Sequence, residues 1–387
     1  MNKTPVSQMQ KMGTVHAAQQ GYTLIELMVA LSLGLLISAA AIQLFITSQT
    51  TFSLQQGGAD VQDSSIFGLE LMSRNARMAN HGGGRPVIND FTPLGGIVFT
   101  ADLSSAETIT NAPTVNLQSV QLGGAAVPSA LLTRGQGLDA STTANHWTGI
   151  SNATVVGEGA AASAQLVIQY RAPQDMFDCE GQRARGPRMS NQTGDVWGAV
   201  FDADGEAVTD ARMVDGDVVV ERYFLRKDTT GVATGENADR ALVLACDAGR
   251  YGVNNQKDVI AGTIPISGFG EAGQVLMSRV DHFDLRLGVQ EAGGIRYYTV
   301  KQYLDNKPAA AASGAAVARP TVVSLQLAVL VRAQGKSTSA TLDPNQIYTM
   351  LGQDVKITVP DSTGSTQSGY LRKVYETTVA LRNGRGE

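Results

Sequence analysis

Four histidines and two cysteines are all that this 387-residue chain offers toward metal-centred or thiol chemistry. No HExxH, no G-x-S-x-G and no Walker-type loop occurs, which removes the metalloprotease, serine hydrolase and nucleotide-hydrolase signatures. Aromatic residues make up 6 % of the chain, and basic residues are outnumbered by acidic ones, 30 to 35. A whole-chain nucleic-acid or anionic-lipid binder would carry the opposite balance. Charge itself is missing from one long stretch: between Leu27 and Asp60 there is none.

That stretch holds an apolar run from Leu27 to Ile46, about 30 Å as a helix and thus able to cross a hydrocarbon core. Ahead of it, Met1 to Gln20 is polar, with Lys3 and Lys11 as its only charged side chains, so an N-in, C-out orientation is expected. Ordinary signal cleavage would need small residues after the run. The chain has Gln43-Leu44-Phe45-Ile46-Thr47 there, and only Ser38-Ala39-Ala40-Ala41 inside it. An uncleaved anchor would make Glu26 an interfacial carboxylate near a helix N-terminus, where it is favourable. Neither reading accounts for Gly21-Tyr22-Thr23-Leu24-Ile25-Glu26.

Those residues resemble the N-termini of type IV prepilins and their type II secretion relatives. The resemblance implies cleavage after Gly21 by a membrane prepilin peptidase, N-methylation of Tyr22, and Glu26 as the fifth mature residue, paired with the amino terminus of a neighbouring subunit. A carboxylate in an apolar fibre or bilayer costs a few kcal/mol without such a cation. Tyr22 departs from the phenylalanine usual there, and Met9 or Met12 are alternative starts for a leader that is long for the class.

Past the run, Ile66, Leu69, Met72, Ala76 and Ala79 recur at helical spacing, so the helix is expected to continue to about residue 80. Gly57-Gly58 should bend or fray it. The stretch Gly68 to Ala79 is similar to the helix end of the PilW family of minor pilins, and Leu371 to Asn383 to that family's closing strand. After His81-Gly82-Gly83-Gly84-Arg85-Pro86, a strong breaker, strands are expected at Gln165–Arg171, Asp217–Arg226, Ala241–Cys246, His282–Val289, Arg296–Leu304, Val322–Arg332 and Leu371–Leu381. In Val322–Arg332 the alternation of Val323, Leu325, Leu327, Val329 and Val331 predicts one buried face. Residues 101–163 and Pro308–Pro320 read as surface excursions. The fold class is therefore α+β, pilin-like: a long N-terminal helix on a mostly antiparallel sheet, with an enlarged β-rich C-terminal region. The expected division is a leader over 1–21, a helix over 22–80 that spans the membrane at about 22–47, and a periplasmic or extracellular domain over 81–387.

Loss of the leader would leave 366 residues with 28 basic against 35 acidic, a net charge of −7. Cys179 and Cys246 fall outside the cytoplasm in this reading, where an oxidising compartment favours their joining over two buried thiols. Closing those 68 residues is worth about 4 kcal/mol in the chain-entropy model. Arg183, Arg185 and Arg188 form a compact basic cluster without aromatics, which reads as a solvated loop. Gly268-Phe269-Gly270-Glu271-Ala272-Gly273 has the letters of a dinucleotide fingerprint but opens no helix, so it reads as a turn. Asp202, Asp204, Glu206 and Asp210 form an acidic turn and a weak calcium candidate, with Met213 where an EF-hand needs an acid. Asn152-Ala153-Thr154 and Asn191-Gln192-Thr193 are ordinary loop residues in this context.

The resemblance implies a non-enzymatic minor pilin with no cofactor, held in the inner membrane and then drawn into a pilus. It would prime assembly at or near the tip. Its implied partners are other minor pilins, the major pilin, the prepilin peptidase, the inner-membrane assembly platform and a large tip adhesin, with no nucleic acid bound directly. The alternatives are a type II secretion pseudopilin and, from another class, a membrane-anchored periplasmic enzyme or ligand-binding domain.

Overall fold

The computed structural model describes residues 21–101, 108–109, 112–113, 115–189, 213–232, 238–252, 264–308, 317–336, 343, 345–357 and 370–384. The chain divides into two units, Met1–Phe52 and Ser53–Glu387. Helix α1, Leu24–Ala76, supplies the described structure of the first unit and the leading element of the second. Within the second unit α1 buries a stripe through Gly57, Val61, Ser65, Gly68, Met72 and Ala76, spaced by three or four residues, which Leu69, Ser73 and Asn75 widen toward the helix end. Ile66 lies off that stripe and is 49 % exposed, and its neighbour Phe67 is 75 % exposed. The helix runs unbroken through Gly57-Gly58. Close packing explains the glycines better than a bend does: a methyl at Gly57 would sit 3.1 Å from Ala333 Cβ, and one at Gly68 would overlap Met277 Cγ.

Helix α1 stops where Asn80 turns to φ 66°, a left-handed cap residue that its amide side chain tolerates. Asn80 Nδ2 donates to Arg85 O (2.8 Å) and to Asn383 O (2.6 Å), while Asn383 Nδ2 donates to Ala79 O (3.2 Å). The C-terminal turn thus caps the helix, and the orphan carbonyls of its last turn find partners.

Three four-stranded antiparallel sheets follow, two of them with long strands. The first contains β1 (Gln165–Arg171), β2 (Val218–Lys227), β3 (Leu242–Tyr251) and β4 (Gln274–Ser278), ordered β4-β3-β2-β1. The second contains β5 (Val280–Glu291), β6 (Gly294–Tyr298), β7 (Val322–Lys336) and β8 (Tyr370–Ala380), ordered β6-β5-β7-β8. Arg279, at φ 58°, separates β4 from β5 and marks the passage from one sheet to the other. One core joins Val61, Leu69, Met72 and Ala76 of α1 to Leu166, Tyr223 and Leu244 of the first sheet and Phe283, Leu327 and Val329 of the second. An α+β architecture of long helix and antiparallel sheets is the result.

Three expectations are corrected. The described residues 115–163 are no surface excursion: Leu117, Val120, Leu131 and Leu132 fill a second core with Val167, Val218 and Val220, on the strand faces that α1 leaves uncovered. Trp147, 3 % exposed, donates from Nε1 to Ser163 O at 2.8 Å. Strand β7 is buried on both faces, because Ala328 and Leu330 meet Ala153, Val155, Met350 and Val355 from a small sheet. Arg296–Leu304 is half strand and half helix. Thr299 caps α2 (Val300–Asp305) by accepting from Gln302 N (3.0 Å), and Gln302 Oε1 accepts from Thr299 N (2.9 Å). The T-x-x-Q spacing of a capping box carried that signal.

Candidate functional site

Two places carry chemistry: the head of α1 and a buried polar centre behind its last turn. At the head, Thr23 precedes the first helical residue, and its Oγ1 accepts from Glu26 N at 3.3 Å. Thr23-Leu24-Ile25-Glu26 is thus an N-terminal capping sequence that puts the carboxylate in the first turn, where the helix dipole favours it. Gly21 has nothing within 4 Å of where a Cβ would stand, and Tyr22 is 84 % exposed. The junction is open to a macromolecular reagent. From Gly21 to Gln49 every residue is exposed, including Leu24, Ile25, Leu35, Leu36, Ile37 and Leu44. By length and composition α1 is able to cross a membrane.

The polar centre was not legible beforehand. Glu221, fully buried in β2, accepts from Asn75 Nδ2 of α1 (3.0 Å), Tyr223 OH (2.6 Å), Tyr170 OH of β1 (3.0 Å) and Cys179 N (3.0 Å). Burial pushes its carboxyl upward, and these four donors oppose that shift. All four give hydrogens to it, so the arrangement is built for the carboxylate form. Burial, and then the anion beside them, push both tyrosine hydroxyls up. Cys179 and Cys246 are joined, with Cα atoms 6.2 Å apart, and the bridge lies against Glu221.

A second buried pair stands on the same two strands. Arg222 Nη2 meets Asp247 Oδ2 at 2.8 Å, both side chains having no exposure, and its guanidinium lies 3.8 Å from the Phe224 ring centroid. Asp247 also accepts from Gly270 N (3.0 Å) and Glu271 N (3.1 Å). Gly268-Phe269-Gly270-Glu271-Ala272-Gly273 is therefore a turn wrapped on a buried carboxylate, with Gly270 at φ 90°. It cradles no phosphate there; its amides are spent on Asp247. In the second sheet Asp281 accepts from Arg372 Nε (2.7 Å) and Asn152 Nδ2 (2.7 Å) and pairs with Arg332 Nε (3.3 Å). Asn152, one of the two sequon asparagines, is buried.

The basic cluster dissolves into pairs: Arg183 with Asp175, Arg188 with Asp217 (3.4 Å), and Arg185 N to Asp217 Oδ2 (2.9 Å). Asp202, Asp204, Glu206 and Asp210 lie outside the described residues. The buried histidine among the described residues, His282, touches Ser151 Oγ (2.8 Å) and Ser163 Oγ (3.1 Å) through Nδ1. Burial, then Arg286, lowers it to about 4. A neutral core histidine clasped by two serines is a structural group, with no exposed nucleophile beside it.

Residues 222–383 match the family model for Type IV Pilus-assembly protein W, and residues 16–42 match the Prokaryotic N-terminal methylation motif. The chain is thus similar to the PilW family over residues 222–383, less than half of its length, and to the prepilin methylation motif at its N-terminal end. The methylation-motif match runs across Gly21, Tyr22 and Glu26, and the PilW match begins at Arg222 and contains both β8 and the Asn383 that caps α1. No curated protein matches the chain. Among solved structures, a type IV-like pilin from Thermus thermophilus is similar at 14 % identity over 57 % of this chain and 78 % of that one, with a TM-score of 0.22, too slight a likeness to carry the fold. Among the described residues the buried carboxylates Glu221, Asp247 and Asp281 are engaged by donors inside the protein, whereas the residues of α1 from Leu24 to Ile46 are exposed.

Proposed function

We propose that the protein is a minor pilin that primes type IV pilus assembly at or near the fibre tip. One observation carries this reading: a PilW domain sits behind a helix whose first half exposes an unbroken apolar surface headed by Glu26, next to an open Gly21–Tyr22 junction. In this reading residues 1–21 are a leader removed after Gly21, Tyr22 becomes the N-methylated start, and residues from 81 onward form the periplasmic domain. The apolar helix keeps all its backbone hydrogen bonds to itself, so it exchanges lipid for the helices of other subunits at no cost in unmade bonds. Glu26 sets the register by meeting the freed amino group of a neighbour, since a carboxylate in that surrounding needs a cation. The partners are then other minor pilins, the major pilin, the peptidase and the inner-membrane platform. No part of the reading uses enzymatic chemistry.

The test is replacement of Glu26 by alanine in the native host, followed by shearing and fractionation. Cleavage should proceed while the chain fails to enter sheared fibres and stays in the inner membrane. Normal amounts of the variant in fibres would contradict the register role. Wild-type protein that co-purifies with a secretion apparatus and never with fibres would move it to the pseudopilins.

A further inference from the structure

The Cys179–Cys246 bridge is asymmetric. Cys246 sits inside β3 with no exposure, whereas Cys179 lies in the turn before Gln182 and is partly exposed. Both sulfurs and a carboxylate oxygen of Glu221 fall within 4.8 Å of one another. Such a trio has the atoms of a metal site, but here the sulfurs are bonded to each other and the carboxylate is occupied by four donors. The Cys179 amide is one of those donors, and Asn75 from the last turn of α1 is another. One carboxylate thus connects the bridge to the end of the helix.

We propose that this disulfide is a one-sided, carboxylate-guarded latch on α1: a small thiolate reaches it only at Cys179, must expel Cys246 against the charge of Glu221, and by breaking it loosens the helix end. In the first step the attacking thiolate forms a bond to Cys179 Sγ, the Sγ–Sγ bond breaks, and its electron pair leaves on Cys246 Sγ, which takes a proton from water. A second thiolate then attacks the reagent's own sulfur in the mixed disulfide, forming the reagent disulfide and releasing Cys179 as a thiolate that is protonated in turn. Two reagent thiols are oxidised and one protein disulfide is reduced. Exchange slows as the leaving thiol becomes a poorer leaving group. Burial and an adjacent anion both disfavour the Cys246 thiolate. Once the bridge opens, the Cys179 turn is no longer pinned, the Cys179 N–H leaves Glu221, and the carboxylate loses part of what holds it against Asn75. Docking of the helix end therefore follows oxidation of the pair.

The experiment treats the full chain in detergent with excess 2-mercaptoethanol, quenches with acid, unfolds, alkylates with N-ethylmaleimide and maps the peptides by mass spectrometry. The first intermediate should carry the mercaptoethanol adduct on Cys179 and the maleimide on Cys246. Glu221→Gln should speed that step at least tenfold with the same asymmetry. Hydrogen exchange across residues 65–79 should rise on reduction, and Asn75→Ala should show the raised exchange before reduction with little further change after it. An adduct on Cys246, or shared evenly between the cysteines, overturns the one-sided attack. A Glu221→Gln rate equal to wild type overturns the guard, and unchanged exchange at 65–79 in the reduced protein overturns the latch. If Glu221→Gln does not accumulate folded, the adduct position and the wild-type exchange decide.

Discussion

The two stretches of α1 share a backbone geometry and differ in everything that surrounds them. From Leu24 to Gln49 every side chain is exposed all round the helix, the large apolar ones such as Ile25, Leu35, Leu36 and Phe45 included. From Gly57 to Ala76 one face is buried, and small residues at Gly57, Ser65, Gly68, Ser73 and Ala76 alternate with the core side chains Val61, Leu69 and Met72. A helix that must meet many partners keeps a uniformly apolar surface, because no single face is privileged. A helix that docks once on a sheet keeps a narrow stripe of residues small enough for close approach. The same contrast holds for charge. Glu26 has no side-chain partner among the described residues, whereas Glu221 has four donors. The second carboxylate is completed within the chain; in the proposed reading the first is completed by a neighbouring subunit.

The contrast breaks most completely at the processing junction. Replacement of Gly21 by tryptophan should abolish cleavage, leaving an uncut chain in the membrane by immunoblot, with no change in the melting temperature of the PilW domain in detergent. Next in size is Gly68→Leu, whose side chain would occupy the space of Met277; overpacking of this kind costs about 1–3 kcal/mol or more. The melting temperature should drop by several degrees, whereas Gly34→Leu in the exposed stretch, where nothing lies within 4 Å, should leave it unchanged.

His282 gives a pH test of the docked half. Its folded-state value of about 4 lies below the ordinary 6.5, so the unfolded chain binds more protons between the two, and stability falls as pH drops through that window. The loss amounts to about 3 kcal/mol at full effect, and His282→Gln should flatten it in denaturant titrations from pH 7 to pH 4. Glu180 has the opposite sign. Burial first, with Asp247, Asp178 and Glu271 adding, raises it from 4.5 to about 7, so stability declines as pH rises across that range. Being partly exposed it is screened, and Glu180→Gln should recover only about 1 kcal/mol near pH 8. Smallest is Phe67→Ser on the outer face of the docked half. At 75 % exposure it should alter monomer stability by less than about 0.5 kcal/mol. A larger change would mean that this face is already committed within the chain.

Much of this was legible in the sequence, for identifiable reasons. The apolar run, the Gly21-to-Glu26 segment and the strands at Gln165–Arg171 and Val322–Arg332 show in local pattern because local pattern determines them. The glycines at 57 and 58 misled because propensity describes an isolated helix, while here the helix packs on the sheets and Ala333 needs the room beside Gly57. Residues 115–163 misled because sparse apolar residues such as Leu117 and Leu131 form a core only with strands far away in sequence. Glu221 gave one hint, an acid in Val218-Val219-Val220-Glu221-Arg222-Tyr223, where the unbroken apolar start suggests burial on both faces. Its donors come from residues 75, 170, 179 and 223, and no window of sequence joins them.

The central claim is that the exposed half of α1 becomes an assembly element once the chain is cut beside Glu26. Mass spectrometry of the N-terminal peptide from protein isolated in its native host tests this most directly. The account predicts a mature chain beginning at an N-methylated Tyr22; an uncut leader, or a chain that starts beyond Ile37, would contradict it.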